Sequence, residues 1–226
     1  VQLCVSRQLR VVFRSPTVYA KMARAVFLGV LLGTMFYRLD RSQGAAQNRF
    51  GLLFISVSAV AMGCVASIPE LFTQRAVFYE QKNGGYFRPG AYQFALLVVE
   101  LPIVAVEMMI FSVLLYGLCG LNGGLVSWNF FYMYVQVVCV NMICWSVCLL
   151  SVVTSASSVS ATSVVPVVMA IFMLFAGYLV PEPAIPPALR WLNAASAITR
   201  PFKGLALNEF EGLTFHCRPG ELLPPL

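Results

Sequence analysis

The sequence predicts an all-α protein, a polytopic bundle of transmembrane helices, and three observations carry that prediction. The chain is 59% hydrophobic and only 11% charged, with mean hydropathy +0.80, whereas soluble domains carry roughly 25% charged residues. Several uncharged runs approach the roughly 20 residues that a helix needs to cross hydrocarbon. The basic residues behind the net charge of +6 flank those runs, where they meet lipid head groups or set topology, so nucleic acid is not an expected partner.

Residues 1–17 form the first segment. Leu3, Leu9, Val12 and Phe13 alternate with Arg7, Arg10 and Arg14, the pattern of an amphipathic helix lying in the interface or packed on a neighbouring domain. Ser15-Pro16 then restarts the chain, serine as a cap and proline in a first turn. The bundle is expected over 18–180 with five spans. The first, 18–37, carries Lys21 and Arg24 in its opening turns, and both are expected to snorkel back toward the interface. The second, 50–68, is rich in Gly, Ala and Ser, which permit close helix contacts in lipid.

A polar island follows at 69–90, between two apolar runs. It concentrates Glu70, Arg75, Glu80, Lys82 and Arg88, with Gly84-Gly85 and Pro89-Gly90 as breakers, so it reads as a cytosolic loop containing a short helix, a turn and a second helix start. Arg75 and Glu80 lie five residues apart on separate helical faces and are expected to reach different partners. Phe78 and Tyr79 between them are available to seat in a groove on another domain.

The third span, 91–119, contains Glu100, Pro102 and Glu107. The two carboxylates share a helical face and, at a depth where charge is costly, either line a polar path or pair with cations. Glu100 fits the interface, and Glu107 lies deeper. A glycine-rich turn at 121–127 precedes the fourth span, 128–153, which opens on an aromatic belt of Trp128, Tyr132 and Tyr134. The fifth span is expected over 159–180. Residues 181–226 contain nothing long enough to span and form an external segment.

The flanking cations place the N-terminal side and the 69–90 loop in the cytosol, and 181–226 outside. Of the seven cysteines, Cys64, Cys139, Cys144 and Cys148 fall in apolar runs and read as small hydrophobes. No paired Cys/His spacing for a metal appears. Cys217, in the external segment, is expected to form a disulfide with a partner subunit or with a cysteine elsewhere. Soluble hydrolase chemistry lacks a nucleophile near the sole histidine, His216.

Taken together, the residues resemble the membrane domain of G-subfamily ABC transporters, including the pleiotropic drug resistance type. Gly33-Thr34-Met35-Phe36 is similar to the GTxF ending of that family's first span. Arg75-Ala-Val-Phe78-Tyr79-Glu80 with Tyr86 and Tyr92 resembles its cytosolic loop. Glu100-Leu101-Pro102, Tyr116 to Gly120, Gly177 to Pro181, Ile185-Pro186, Trp191 and Asn208-Glu209-Phe210 with Cys217 follow in the family's order. The pattern departs at Ala188-Leu189-Arg190, where paired aromatics are usual, and at Ala197, where proline is.

The resemblance implies an ATP-driven exporter of amphipathic or lipophilic substrates, a multi-pass protein of the plasma membrane. Residues 1–17 would be a connecting helix after an upstream nucleotide-binding domain. The 69–90 loop, through Arg75, Phe78, Tyr79, Glu80 and Tyr86, would couple to that domain. ATP and magnesium belong to that domain, since no G-x-x-x-x-G-K-[ST] phosphate loop occurs in these 226 residues, so the chain itself is not expected to be catalytic. A second membrane domain would complete the pore, with Phe54, Met62 and Met169 as apolar guesses for the substrate path. A re-entrant helix within 181–226 and a sixth span beyond it are also implied. A membrane-anchored receptor or assembly subunit and a secondary transporter are the alternatives, the last favoured by Glu107 but lacking paired broken helices.

Overall fold

The structure, a computed structural model, describes residues 16–39, 43–84, 89–180 and 185–214. The connecting-helix, Tyr86, Arg88 and Cys217 expectations lie outside them. Among the described residues every regular element is a helix, as lipid requires of a chain whose backbone must satisfy itself. We number them α1 (Pro16–Met35), α2 (Gln43–Gly63), α3 (Ile68–Asn83), α4 (Pro89–Cys119), α5 (Trp128–Thr154), α6 (Ser158–Leu174), α7 (Arg190–Ala195) and α8 (Thr199–Phe210). Four stretches are long and apolar enough to cross a membrane: α1, the continuous segment Ala45–Asn83, α4 and α5; α6 is a shorter apolar helix.

Helix α5 is the hub, packed against α2, α3, α4, α6 and α8. It buries Val137, Val140, Cys144, Cys148 and Val152. Helix α1 lies along α4 in parallel: Gly29 faces Leu114 and Gly33 faces Leu118. A Cβ on Gly33 would come within 2.4 Å of Leu118 Cδ1 and 2.8 Å of its Cβ, so the two backbones approach this closely only because the position is glycine. Beyond α1, the Arg38 and Leu39 amides donate to the carbonyls of Leu118 and Cys119 at 3.1 Å each, locking the chain to the end of α4.

Three boundaries differ from the sequence expectation. Helix α2 begins at Gln43, well before residue 50, because Arg49 is buried and paired rather than left in a polar connection. Its far end runs through a 3-10 turn, Cys64–Ser67, directly into α3. Helix α6 stops at Leu174, and its 17 residues reach roughly 25 Å at 1.5 Å per residue. The chain then turns at Gly177, whose φ of +92° suits glycine. Asn193 Nδ2 and Thr199 Oγ1 donate to the Phe175 carbonyl at 2.7 and 3.0 Å, and Ser196 Oγ donates to Phe172 O at 2.9 Å. From there α8 climbs antiparallel to α5, Gly204 facing Tyr132 and Asn208 facing Asn129.

Candidate functional site: two ends of the bundle

At one end of the bundle, α3 leaves the core as a polar helix. Arg75, one of the expected coupling residues, lies against the end of α5. Nη1 of Arg75 donates to the carbonyls of Val152 and Ser155 at 2.5 and 2.6 Å, and its guanidinium lies over the rings of Phe72 and Tyr79. The last carbonyls of a helix have no intrahelical partner and sit at the negative end of its dipole, so a guanidinium is a good cap for α5. Phe78 likewise turns inward, half-buried with its ring 4.9 Å from that of Tyr92. It helps line an apolar cavity of about 390 Å3 with Leu71, Tyr79, Tyr92, Leu149 and Val153. What α3 presents outward is Val77, Tyr79 and Glu80, all exposed. Glu80 forms no ion pair among the described residues.

Deeper, two ion pairs join α1 to α4. Lys21 Nζ donates to Glu100 Oε1, and Arg24 Nη2 donates to Glu107 Oε1 at 2.5 Å. Arg24 Nη1 also donates to the Gly63 carbonyl. The expected snorkelling therefore gives way to pairing. Glu107 is 1% exposed, and an unpartnered carboxylate or guanidinium at that depth costs more than ordering the pair. Beside this cluster Asn141 is buried on α5, its Nδ2 3.8 Å from Met108 Sδ. Cys64 Sγ lies 3.6 and 3.7 Å from Asn141 O and Oδ1.

The opposite end holds a third pair. Arg49 Nη1 donates to Glu209 Oε1, and its Nη2 to Leu39 O at 2.8 Å. The Asn122 amide donates to both Glu209 carboxylate oxygens at 3.2 and 3.1 Å. Burial pushes the Glu209 carboxyl up, opposed by the Asn122 N–H and by Arg49. One carboxylate thus ties α8 to α2 and to the α4–α5 turn.

The substrate-path guesses fall apart spatially. Phe54 is half-buried in an aromatic cluster, 4.7 Å from Tyr178 and 5.8 Å from Phe202 between ring centroids. Met62 is exposed, whereas Met169 is fully buried in this chain's own core and offers no surface to a molecule outside it. Missed from sequence were the roles of Arg49, Asn122 and Asn141, and the seating of Gly29 and Gly33 on α4. The last had a visible signal in the G-x-x-x-G spacing.

The profile of the ABC-2 type transporter family matches residues 1–210. The chain belongs to that family. It is 32% identical over 205 residues to ABC transporter G family member 2 of Dictyostelium discoideum, covering 91% of this chain and 15% of that protein. It is also 28% identical over 216 residues to ABC transporter G family member 23 of Arabidopsis thaliana, covering 95% of this chain and 34% of that one. A second Arabidopsis thaliana relative, ABC transporter G family member 7, is 31% identical over 202 residues, 88% of this chain and 27% of that protein. The chain thus spans between 15% and 34% of the length of these relatives and corresponds to the membrane domain of G-family ABC transporters.

Proposed function

We infer that this chain is the membrane-spanning domain of an ATP-driven exporter of amphipathic or lipophilic molecules. A nucleotide-binding domain in the same polypeptide would bind ATP and magnesium, and a second membrane domain, in a dimer or tandem half, would complete the pathway at the plasma membrane. The observation that carries the reading is α3. It prolongs a membrane span without a loop, is tied to the end of α5 through Arg75, and leaves Val77 and Glu80 exposed. Arg75 anchors this lever and Glu80 engages the nucleotide-binding domain. Residues 69–90 then lie in the cytosol, the Arg49–Glu209 end faces out, α8 is a re-entrant helix, and Cys217 forms a disulfide outside the cell. Non-reducing gels and mass spectrometry of the full-length protein check that disulfide; a wholly free Cys217 thiol refutes it.

The test of the coupling role is Glu80→Lys in the full-length protein. Membrane abundance and ATP binding stay near normal, while transport and its stimulation of hydrolysis are lost. Transport at the native level by Glu80→Lys, at equal abundance, removes α3 from the mechanism.

A further inference from the structure

We propose that the apolar cavity where α3, α4 and α5 meet holds one acyl chain of an anionic phospholipid, with the lipid head group paired to Arg75. The site requires only that these helices cross a bilayer. It is indifferent to what is transported and in which direction.

The cavity lies at a span end. Pro89 and Gly90, the first two residues of α4, line it together with Val152 and Val153, just before α5 stops at Thr154, and with Leu71 and Phe78 of α3. That is the depth at which hydrocarbon gives way to head groups. Val153 both lines the cavity and is 56% exposed, so the apolar wall runs on to the outer surface of α5. Leu150, three residues earlier on the same face, is exposed as well.

At about 390 Å3 the space falls within the roughly 300 to 1,000 Å3 that ligand sites occupy. Close-packed proteins leave few voids larger than a water molecule, so a space of this size calls for an occupant. Water suits it poorly, because a buried water takes about two to four polar partners and Leu71, Leu96, Leu149, Val152 and Val153 offer it none. A hydrocarbon chain suits those walls. The space also reaches the first turn of α4, where a Cβ built on Gly90 would meet nothing within 4 Å.

The head-group chemistry follows from Arg75, which is half-buried and lines the same cavity. Only its Nη1 is committed, to the Val152 and Ser155 carbonyls; Nε and Nη2 make no hydrogen bond among the described residues. Carbonyls carry no net charge, so the guanidinium keeps its own. Spare N–H groups on such a cation, beside an apolar slot at a span end, fit the oxygens of a phosphodiester. Basic pockets between membrane helices bind anionic head groups in this way. No aspartate or glutamate is among the described lining residues, so nothing there receives the choline ammonium of a zwitterionic lipid.

The test uses the full-length protein in phosphatidylcholine nanodiscs doped with phosphatidylserine, or with phosphatidylcholine, bearing a diazirine at the end of one acyl chain. After photolysis, labelled residues are mapped by mass spectrometry. Lipids that merely surround the protein hold their chain ends near the bilayer centre and label mid-span residues such as Phe27 and Leu31 of α1, both exposed. A chain seated in the cavity instead carries its diazirine to the span end and labels Leu71, Leu149 or Val153. Cavity labelling is expected to be about fivefold stronger with phosphatidylserine, the discrimination that one arginine near an anionic surface supplies.

Arg75→Gln brings the two lipids to parity at the cavity. Because that substitution also loosens α3 from α5, Gly90→Phe serves as a second variant. It keeps Arg75 and its carbonyls and fills the space that glycine leaves, so cavity labelling falls to background while Phe27 and Leu31 label as before. Labelling of Phe27 and Leu31 with none in the cavity overturns the proposal, since another part of the protein then fills the space. Equal cavity labelling by the two lipids in the native protein overturns the head-group assignment, as does a preference that survives Arg75→Gln. Undiminished labelling of Leu71, Leu149 and Val153 in Gly90→Phe puts the chain outside the cavity and overturns the site itself.

Discussion

The Arg24–Glu107 and Arg49–Glu209 sites use the same two residue types, and in each the arginine serves one carboxylate and one carbonyl, but they differ at the carboxylate. Glu107 receives Arg24, which also serves the Gly63 carbonyl. At Glu209 the carboxylate is shared: it receives both a buried guanidinium and the Asn122 backbone amide, while Arg49 goes on to Leu39 O. The difference sets what is stranded when one partner is removed. Losing either carboxylate leaves its arginine one carbonyl, Gly63 O for Arg24 and Leu39 O for Arg49, but losing Glu209 also leaves the Asn122 amide without its acceptor. The first arrangement suits a joint between long helices, and the second suits pinning a 12-residue helix that cannot hold itself in place.

The largest effect is therefore expected at Glu209. Glu209→Leu strands Arg49 and the Asn122 N–H and costs about 3 to 5 kcal/mol, the range for breaking a buried pair, read as loss of monodisperse protein on thermal challenge in detergent. Replacing both partners, Arg49→Met with Glu209→Leu, recovers most of this but leaves the Asn122 amide unsatisfied, a residual of roughly 1 to 3 kcal/mol. Full recovery in the double variant would show that Asn122 contributes nothing and would erase the contrast between the ends.

Glu107→Leu comes next, and Glu107→Gln is tolerated better because the amide still accepts from Arg24. If Glu107→Leu survived heating as well as Glu107→Gln, the pair would be incidental. Smaller again is the effect at Gly33, where Gly33→Ala drives a methyl into Leu118 and costs about 1 to 3 kcal/mol as overpacking. Cysteine cross-linking between the far ends of α1 and α4 should weaken accordingly. The least is expected at Lys21, whose pair with Glu100 is 11% and 13% exposed. Lys21→Met is anticipated to lower thermal stability by less than any substitution above, since a partly hydrated Glu100 recovers solvation.

The helices were legible because lipid imposes its rule locally: an uncharged run of sufficient length has few alternatives to helix. Their ends were less so. Arg49 reads as loop in sequence, and only a carboxylate 160 residues away makes it helix interior. The same holds for the sites. Two cations in the first apolar run and two acids in the third were plain, but their pairing spans 79 and 83 residues, beyond any periodic pattern. Arg75 shows the converse, a charge in a polar stretch that looked outward and is spent on the last carbonyls of α5. Glu80 is exposed and forms no ion pair among the described residues.

The parallel seating of α1 on α4 also has a consequence for biosynthesis. Lys21 leaves the ribosome 79 residues before Glu100, and at roughly 5 to 20 residues per second that is a delay of about 4 to 16 s. Throughout it the first hydrophobic segment carries two cations without their carboxylates, each costing up to about 2.5 to 3.5 kcal/mol toward the helix centre during insertion. On the proposed topology the nascent segment lingers beside the insertion machinery, its cations toward the ribosomal side, and enters lipid fully only as the third apolar run arrives to neutralise it.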